Sequence, residues 1–236
     1  VERGAYPAIL TSASAHFSIA RAAVAAGLGT DAVVHIRTDA HGRMDVRELE
    51  RMCAEMQADA AHPQGVPLIV CATSGTTVLG AFDDVAAIAE VCRKYDLWLH
   101  VDASWGGAAA FLPHDAPERS VLAGLENAHS ITINPHKLLG VTHQCSFLLV
   151  HDKSVLIPPS HSDGGYLFHV PAEDALDMAT KTLGCGRRGD ALKFYLVWLR
   201  YGTQGLGDHI AHGLRMAQAL WQRLQRIPSL ELGPHA

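Results

Sequence analysis

The four residues from Asn134 to Lys137 read Asn-Pro-His-Lys, and this lysine is the strongest candidate for chemistry in the chain. Apolar residues follow it directly, and burial among apolar groups lowers the pKa of a lysine, which favours a free amine. Asp102 closes an apolar run, where a carboxylate is costly unless a cation or hydrogen-bond donors meet it. An amine that condenses with an aldehyde and a carboxylate that pairs with a cationic ring nitrogen are what pyridoxal phosphate (PLP) chemistry needs.

Continuous apolar runs predict the strands that position these groups. Five buried strands are expected, over residues 32–36, 68–73, 97–101, 130–133 and 146–150. Ser74 to Thr77, Asp102 and the segment from Asn134 to Lys137 fall at the ends of such strands or just beyond them. Ligands of parallel α/β sheets bind outside the carboxyl ends of the strands, so these polar segments are expected to meet at one edge.

Helical periodicity separates the predicted strands. Four helices are expected, over residues 15–26, 46–60, 188–201 and 206–226. Asp45 is expected to cap the second of these and Gly202 to end the third, while Asp83 and Asp84 are expected to open a further helix. Strand and helix patterns that alternate along a chain predict an α/β fold, with a mostly parallel sheet flanked by helices.

The composition favours a globular protein and argues against nucleic-acid, membrane or metal binding. The chain has 236 residues, of which 48% are hydrophobic, and a formal net charge of −5, so a sizeable packed core is expected. No run of Lys or Arg indicates a nucleic-acid or membrane partner, and the 15 histidines show no metal-ligand spacing. Neither a signal peptide nor a membrane-spanning run is recognisable, which favours a cytoplasmic location.

Six stretches resemble one family of PLP enzymes, namely residues 11–18, 72–83, 98–107, 130–140, 144–150 and 185–205. The chain resembles the group II amino-acid decarboxylases, which include glutamate, cysteine sulfinate and aromatic amino-acid decarboxylases. The stretches 198–205 and 144–146, and Leu138 after the lysine, are closer to the glutamate and cysteine sulfinate branch. The resemblance implies a PLP-dependent transferase-like large domain of fold type I, and a homodimer.

The same resemblance implies the catalytic residues. Lys137 would carry the cofactor, and Asp102 would pair with the pyridinium nitrogen and keep it protonated. His16 would stack on the PLP ring. Tyr166, in a loop that reads Gly-Gly-Tyr, would protonate the carbanion left when CO₂ departs.

Further cofactor contacts are implied in the same way. Thr77 and Asn134 would bind the cofactor, and Ser130 and His136 would lie near its phosphate. Ser104 occupies a position where relatives usually have an alanine against the cofactor ring, so its hydroxyl is a departure from the family pattern.

The resemblance also predicts how the chain relates to a longer enzyme. Residues 1–204 would form a PLP-binding large domain that lacks its N-terminal part, and residues 205–236 a helix leading toward a missing C-terminal small domain. The predicted reaction is α-decarboxylation of an acidic amino acid such as glutamate, aspartate or cysteine sulfinate. Two alternatives stay open: an aromatic amino-acid decarboxylase or other PLP lyase, and an inactive fragment that acts only as an interaction module.

Overall fold

Six strands and four α-helices make up the described part of the chain. The computed structural model describes residues 6–59, 62–156, 181–182, 186, 188–230 and 233. The strands are β1 Pro7–Ser12, β2 Val33–Ile36, β3 Val66–Thr73, β4 Trp98–Asp102, β5 Ser130–Ile133 and β6 Phe147–Val150. The α-helices are α1 Ser18–Ala25, α2 Val46–Ala58, α3 Val85–Lys94 and α4 Asp190–Leu224.

The strands form one sheet in the order β2-β1-β3-β4-β5-β6. Neighbouring strands from β2 to β5 run parallel, and β6 pairs antiparallel with β5. The predicted α/β fold with a mostly parallel sheet is therefore confirmed. Strand β1 is not among the predicted strands, although β2 and β3 flank it on either side. Its apolar run is short, and the full burial of Ala8 and Leu10 depends on elements that are distant in sequence.

The two faces of the sheet are covered differently. Helices α2 and α3 pack on one face, where Leu99 and Val101 of β4 are fully buried in the main hydrophobic core. Helix α1 packs on the other face, where Ala23 meets Ile9 and Cys71. The alternate residues of β4 lie on this second face and are half-buried, so the strand carries an apolar side and a polar side.

Side-chain caps account for the starts of α2 and α3. Asp45 accepts hydrogen bonds from two backbone amides of the first turn of α2, at 3.0 and 3.2 Å, as predicted for this residue. Asp84 accepts a hydrogen bond from the Ala87 amide at 3.0 Å and caps α3. Asp83 and Asp84 directly precede α3, as predicted, but Asp83 is buried and accepts from the backbone amides of Met44 and Thr73 instead of capping the helix.

Helix α4 contains two helical segments that meet at a kink, and the prediction that Gly202 ends the first of them is confirmed. Within Asp190–Leu224, Gly202 has non-helical geometry, at φ 66° and ψ 176°. Glycine adopts this positive φ without a Cβ clash, so the helical run is interrupted there. Leu206 and Ile210 then pack in a second hydrophobic cluster with the segment that follows β4. The domain boundary predicted at residue 204 falls within α4 and stays a prediction. None of the described helices combines the length and hydropathy needed to cross a membrane.

Candidate active site

The carboxyl ends of β3, β4 and β5 lie side by side at one edge of the sheet. Thr73 pairs with Asp102, and Asp102 pairs with Thr132 on the next strand. The polar segments predicted to carry chemistry continue from these ends. Strand register therefore brings together residues that are distant in sequence, at the edge where ligands of parallel sheets bind.

Lys137 lies in a tight turn just beyond β5. Its amide donates to the Asn134 carbonyl oxygen at 2.9 Å, and its own carbonyl oxygen accepts from the Gly140 amide at 3.1 Å. Pro135 is fully buried, and its carbonyl oxygen accepts from the Val141 amide at 3.1 Å. These bonds, anchored by a buried proline, hold the backbone of the lysine in one position.

The amine of Lys137 has a half-buried setting. Its Nζ lies 4.9 Å from the centroid of the Trp105 ring, within the range of a cation–π contact. Burial lowers the pKa of Lys137, and the negative charge of Asp102 opposes that change. Because burial is the larger influence, the free amine forms at a lower pH than in an exposed lysine, which suits condensation with an aldehyde.

Asp102 is half-buried and keeps acceptor capacity for a ligand. Its Oδ1 accepts a hydrogen bond from the Ser104 amide at 3.0 Å, and this is the one donor to the carboxylate within the described part of the chain. An ionised carboxylate can accept several hydrogen bonds, so room remains for another donor or a cation. Ser104 makes this contact through its backbone, which a residue of any type could do.

His16 lies between β1 and α1, beyond the carboxyl end of β1. Its ring packs against Phe17 with centroids 4.1 Å apart, and its Nδ1 accepts from the Ser18 amide at 3.3 Å. These contacts hold the imidazole at the same edge of the sheet as Lys137. No contact between described residues joins the two side chains directly.

Asn134 and His136 flank the buried proline of the lysine turn. The Oδ1 of Asn134 is buried and has no hydrogen-bond partner among the described residues. The Nδ1 of His136 lies 3.1 Å from the amide nitrogen of Cys145 and 2.6 Å from its carbonyl oxygen. His136 thus ties the lysine turn to the segment before β6, whereas Asn134 keeps an open acceptor close to Lys137.

Ser130 lies away from this edge. It begins β5, about 13 Å along the strand from Asn134 at 3.3 Å per residue. Its hydroxyl lies 2.9 Å from Trp98 Nε1 and 2.8 Å from His100 Nδ1. The position argues against the predicted contact with the cofactor phosphate, because the hydroxyl is engaged within the sheet and far from the carboxyl end.

Thr77 is exposed in the loop after β3. Its neighbour Thr76 is buried, and the Thr76 hydroxyl oxygen accepts from the Ala81 amide at 3.0 Å, which closes the loop. The predicted role of Thr77 in cofactor binding stays a prediction. Tyr166, the predicted proton donor, lies outside the described residues.

Ser74 and Trp105 belong to the same edge but are not among the predicted site residues. Ser74 Oγ and Trp105 Nε1 are buried and lack a hydrogen-bond partner in the described ranges. Nearly all buried polar atoms in native proteins are paired, so unpaired ones at this edge are available to a water molecule or a ligand. The sequence signal that could have identified Trp105 is an aromatic residue three positions after Asp102, among otherwise small residues.

Two glycines let the loops after β3 and β4 approach each other closely. A Cβ at Gly106 would lie 2.5 Å from the Ser74 carbonyl oxygen, and one at Gly75 would lie 2.9 Å from the Gly106 nitrogen. The Gly106 amide donates to the Ser74 carbonyl oxygen at 3.0 Å. Any side chain at either position would push the loops apart and move Ser74 and Trp105 with them.

This edge combines an amine of lowered pKa, a carboxylate with spare acceptor capacity, and unpaired buried polar atoms. A family model described as the pyridoxal-dependent decarboxylase conserved domain matches residues 4–233. The chain belongs to this family.

Named relatives cover nearly all of this chain. An L-aspartate decarboxylase of Metarhizium robertsii is 43% identical over 226 residues, which are 95% of this chain and 44% of the relative. The human cysteine sulfinic acid decarboxylase is 42% identical over 228 residues, which are 95% of this chain and 45% of the relative. The crystal structure of mouse CSAD matches with a TM-score of 0.83 and 38% identity, over 97% of this chain and 47% of that one. The chain therefore spans less than half the length of the relatives it matches.

The described residues fit PLP. Lys137 can hold its aldehyde carbon, and Asp102 can face its ring nitrogen. The unpaired atoms of Ser74, Trp105 and Asn134 leave two acceptor oxygens and one donor N–H for a polar ligand at the same edge.

Proposed function

We propose that this chain is part of a PLP-dependent enzyme that removes the α-carboxylate of an acidic amino acid as CO₂. The observation that carries the proposal is that Lys137, whose pKa burial lowers, lies at one edge of the sheet within the electrostatic influence of Asp102. An acidic substrate is proposed because relatives at similar identity are named as decarboxylases of L-aspartate and of cysteine sulfinic acid.

Lys137 and Asp102 have complementary roles in this reaction. Bound at this edge, PLP supplies a conjugated ring that accepts the electron pair released when the bond from Cα to the carboxylate breaks. Lys137 provides the amine that holds the aldehyde carbon and that the substrate amine displaces. Asp102 holds a proton at the ring nitrogen, and its negative charge stabilises the positive charge there.

Other residues orient the reacting groups. His16, whose Nδ1 is bound by the Ser18 amide, is proposed to lie against one face of the ring. Trp105 holds the Lys137 side chain through the ring contact at 4.9 Å when the amine is charged. Tyr166, outside the described residues, is proposed to donate the proton that replaces the carboxylate on Cα.

The complete enzyme is proposed to be a homodimer whose site extends beyond this chain. Because the chain spans less than half of its relatives, residues outside it are proposed to bind the phosphate and the substrate side chain. Residues 1–204 are proposed to belong to the large domain and residues 205–236 to lead out of it. This division is supported by the clustering of candidate site residues before residue 204.

Covalent trapping tests the attachment at Lys137. We expect the purified protein with PLP to show a visible absorbance band that borohydride removes, and peptide mapping to find the reduced cofactor on Lys137. Lys137→Ala should lose both signals. The matched control is Lys94→Ala, which removes an exposed lysine paired with Glu50 on the opposite side of the main core, and which should keep both.

A substrate panel tests the reaction. We expect CO₂ release from aspartate, glutamate or cysteine sulfinate to exceed release from tryptophan or tyrosine. The reverse preference would assign the protein to the aromatic branch. Undiminished turnover by Lys137→Ala would refute the proposed role of the lysine, and a folded protein that takes up no cofactor would favour an interaction module.

A further inference from the structure

A row of polar side chains runs along β4 and β5 toward Asp102. Trp98 and His100 share a face of β4 with Asp102, because alternate residues of a strand point to the same side. Ser130 and Thr132 of β5 pair with His100 and Asp102 in the strand register. The row lies on the face opposite the main core and ends at the edge that holds the candidate site.

Hydrogen-bond contacts connect this row from Trp98 to Thr132. Trp98 Nε1 donates to Ser130 Oγ at 2.9 Å, and Ser130 Oγ lies 2.8 Å from His100 Nδ1. At the other side of the imidazole, His100 Nε2 lies 3.4 Å from Thr132 Oγ1. Thr132 stands directly opposite Asp102, so the last hydroxyl of the row lies beside the carboxylate.

The indole fixes the first hydrogen bond of the row. An indole N–H can only donate, so the Ser130 oxygen accepts it, and the Ser130 hydrogen stays available to donate to His100 Nδ1. A neutral imidazole that accepts at Nδ1 carries its proton at Nε2 and donates it to Thr132. The Thr132 hydroxyl then keeps its own hydrogen, and Asp102 is its neighbour in the strand register, although no hydrogen bond joins the two side chains in the described residues.

Burial supports the neutral imidazole. Burial lowers the pKa of His100, and the charge of Asp102 opposes this change as the smaller influence. A charged imidazole would also carry a proton at Nδ1 and could no longer accept from Ser130. The hydrogen bonds of His100 and the desolvation of its ring therefore both favour the neutral imidazole.

We propose that His100 is a positioning residue for Asp102, acting through Thr132 and held in one tautomer by Ser130 and Trp98. The proposal rests on the proposed function, in which Asp102 pairs with the ring nitrogen of the cofactor. In this arrangement the Thr132 hydrogen turns to the neighbouring carboxylate, so the row orients Asp102. It also gives the Ser130 hydroxyl a role within the sheet.

Thr132→Val tests the row with a small change. It removes the last hydroxyl and keeps the shape of the side chain. The matched control is Thr11→Val, a buried threonine on β1 whose hydroxyl donates to the Cys71 carbonyl oxygen at 3.1 Å, outside the row. The Kd of the cofactor-free protein for PLP, read by tryptophan fluorescence, should rise about tenfold for Thr132→Val, since the proposed hydrogen bond from Thr132 to the charged carboxylate can no longer form. It should stay unchanged for the control.

An Asp102→Asn background separates positioning from a structural role. If the row acts through the charge of Asp102, Thr132→Val should have no further effect on the Kd in that background. Equal weakening in both backgrounds would overturn the proposal, as would equal effects of Thr132→Val and Thr11→Val in the unmodified protein.

The tautomer of His100 gives a readout that needs no cofactor. Nitrogen-15 NMR of the imidazole should find the proton on Nε2 in the unmodified protein, and this preference should weaken in Ser130→Ala. A proton on Nδ1 would overturn the proposed direction of the row. If the unmodified protein bound no PLP, the proposed function would be refuted, and the proposed role of the row, which depends on it, would be refuted as well.

Discussion

Asp83 and Asp102 both lie beside Thr73, the last residue of β3, yet their carboxylates have contrasting surroundings. Asp83 is buried, and its two oxygens accept from the backbone amides of Met44 at 2.7 Å and Thr73 at 2.8 Å. Asp102 is half-buried and accepts from the Ser104 amide at 3.0 Å. Asp83 joins two chain segments and uses one oxygen for each, whereas Asp102 keeps capacity to accept further hydrogen bonds.

This difference distinguishes a carboxylate that stabilises the fold from one that is available to a ligand. Burial raises the pKa of Asp83, and its two backbone hydrogen bonds oppose the change without cancelling it. A carboxylate whose oxygens are both engaged inside the fold offers little to a ligand. Asp102 acts electrostatically on the amine of Lys137, so its charge is directed at the site. Hydrogen-bond saturation, and not residue type, separates the two roles.

The largest expected effect is on catalysis, in Asp102→Asn. The substitution keeps the shape of the side chain but removes the charge that is proposed to pair with the ring nitrogen. We expect kcat for decarboxylation to fall by about 100-fold or more, as when one electrostatic contact to a developing charge is lost. The melting temperature should change little, because the remaining oxygen can still accept from Ser104. Retained activity with a large loss of stability would make Asp102 a structural residue like Asp83.

The same type of substitution at the other carboxylate, Asp83→Asn, should lower stability. An amide side chain has one acceptor oxygen, so the Met44 or the Thr73 amide must lose its partner. We expect the free energy of unfolding, measured by urea denaturation, to fall by about 1–3 kcal/mol. The matched control is Asp84→Asn at the next position, where asparagine caps a helix as well as aspartate does and stability should hold. An unchanged Asp83→Asn protein would contradict the structural role.

The smallest expected effect is on the amine of Lys137 in the cofactor-free protein. Its pKa, measured from the pH dependence of acylation with peptide mapping, should lie below that of Lys94, whose pKa hydrogen bonding to Glu50 raises. Asp102→Asn should lower it further, because the charge that favours the ammonium is removed. Asp83→Asn should leave it unchanged. An equal response to both substitutions would mean that Asp102 has no special coupling to the lysine.

Much of the fold follows from local sequence patterns. Strand β5 has the predicted bounds, and Asp45 caps α2 as expected, because apolar runs and side-chain caps act within a few residues. The interruption of α4 at Gly202 was also predicted, because glycine adopts a positive φ that other residues avoid. The position of the second helical segment was not, because it depends on the surface against which Leu206 and Ile210 pack.

The features of the candidate site also divide into those evident from the sequence and those decided by the tertiary structure. The sequence by itself determined that a lysine follows a buried strand in a proline-anchored turn, and that an aspartate ends the apolar strand β4. Only the tertiary structure decided that Trp105 lies against Lys137, that Asp83 joins two segments, and that Ser130 belongs to a row beneath Asp102. These contacts depend on strand register and loop packing between residues far apart in the chain, which no local pattern specifies.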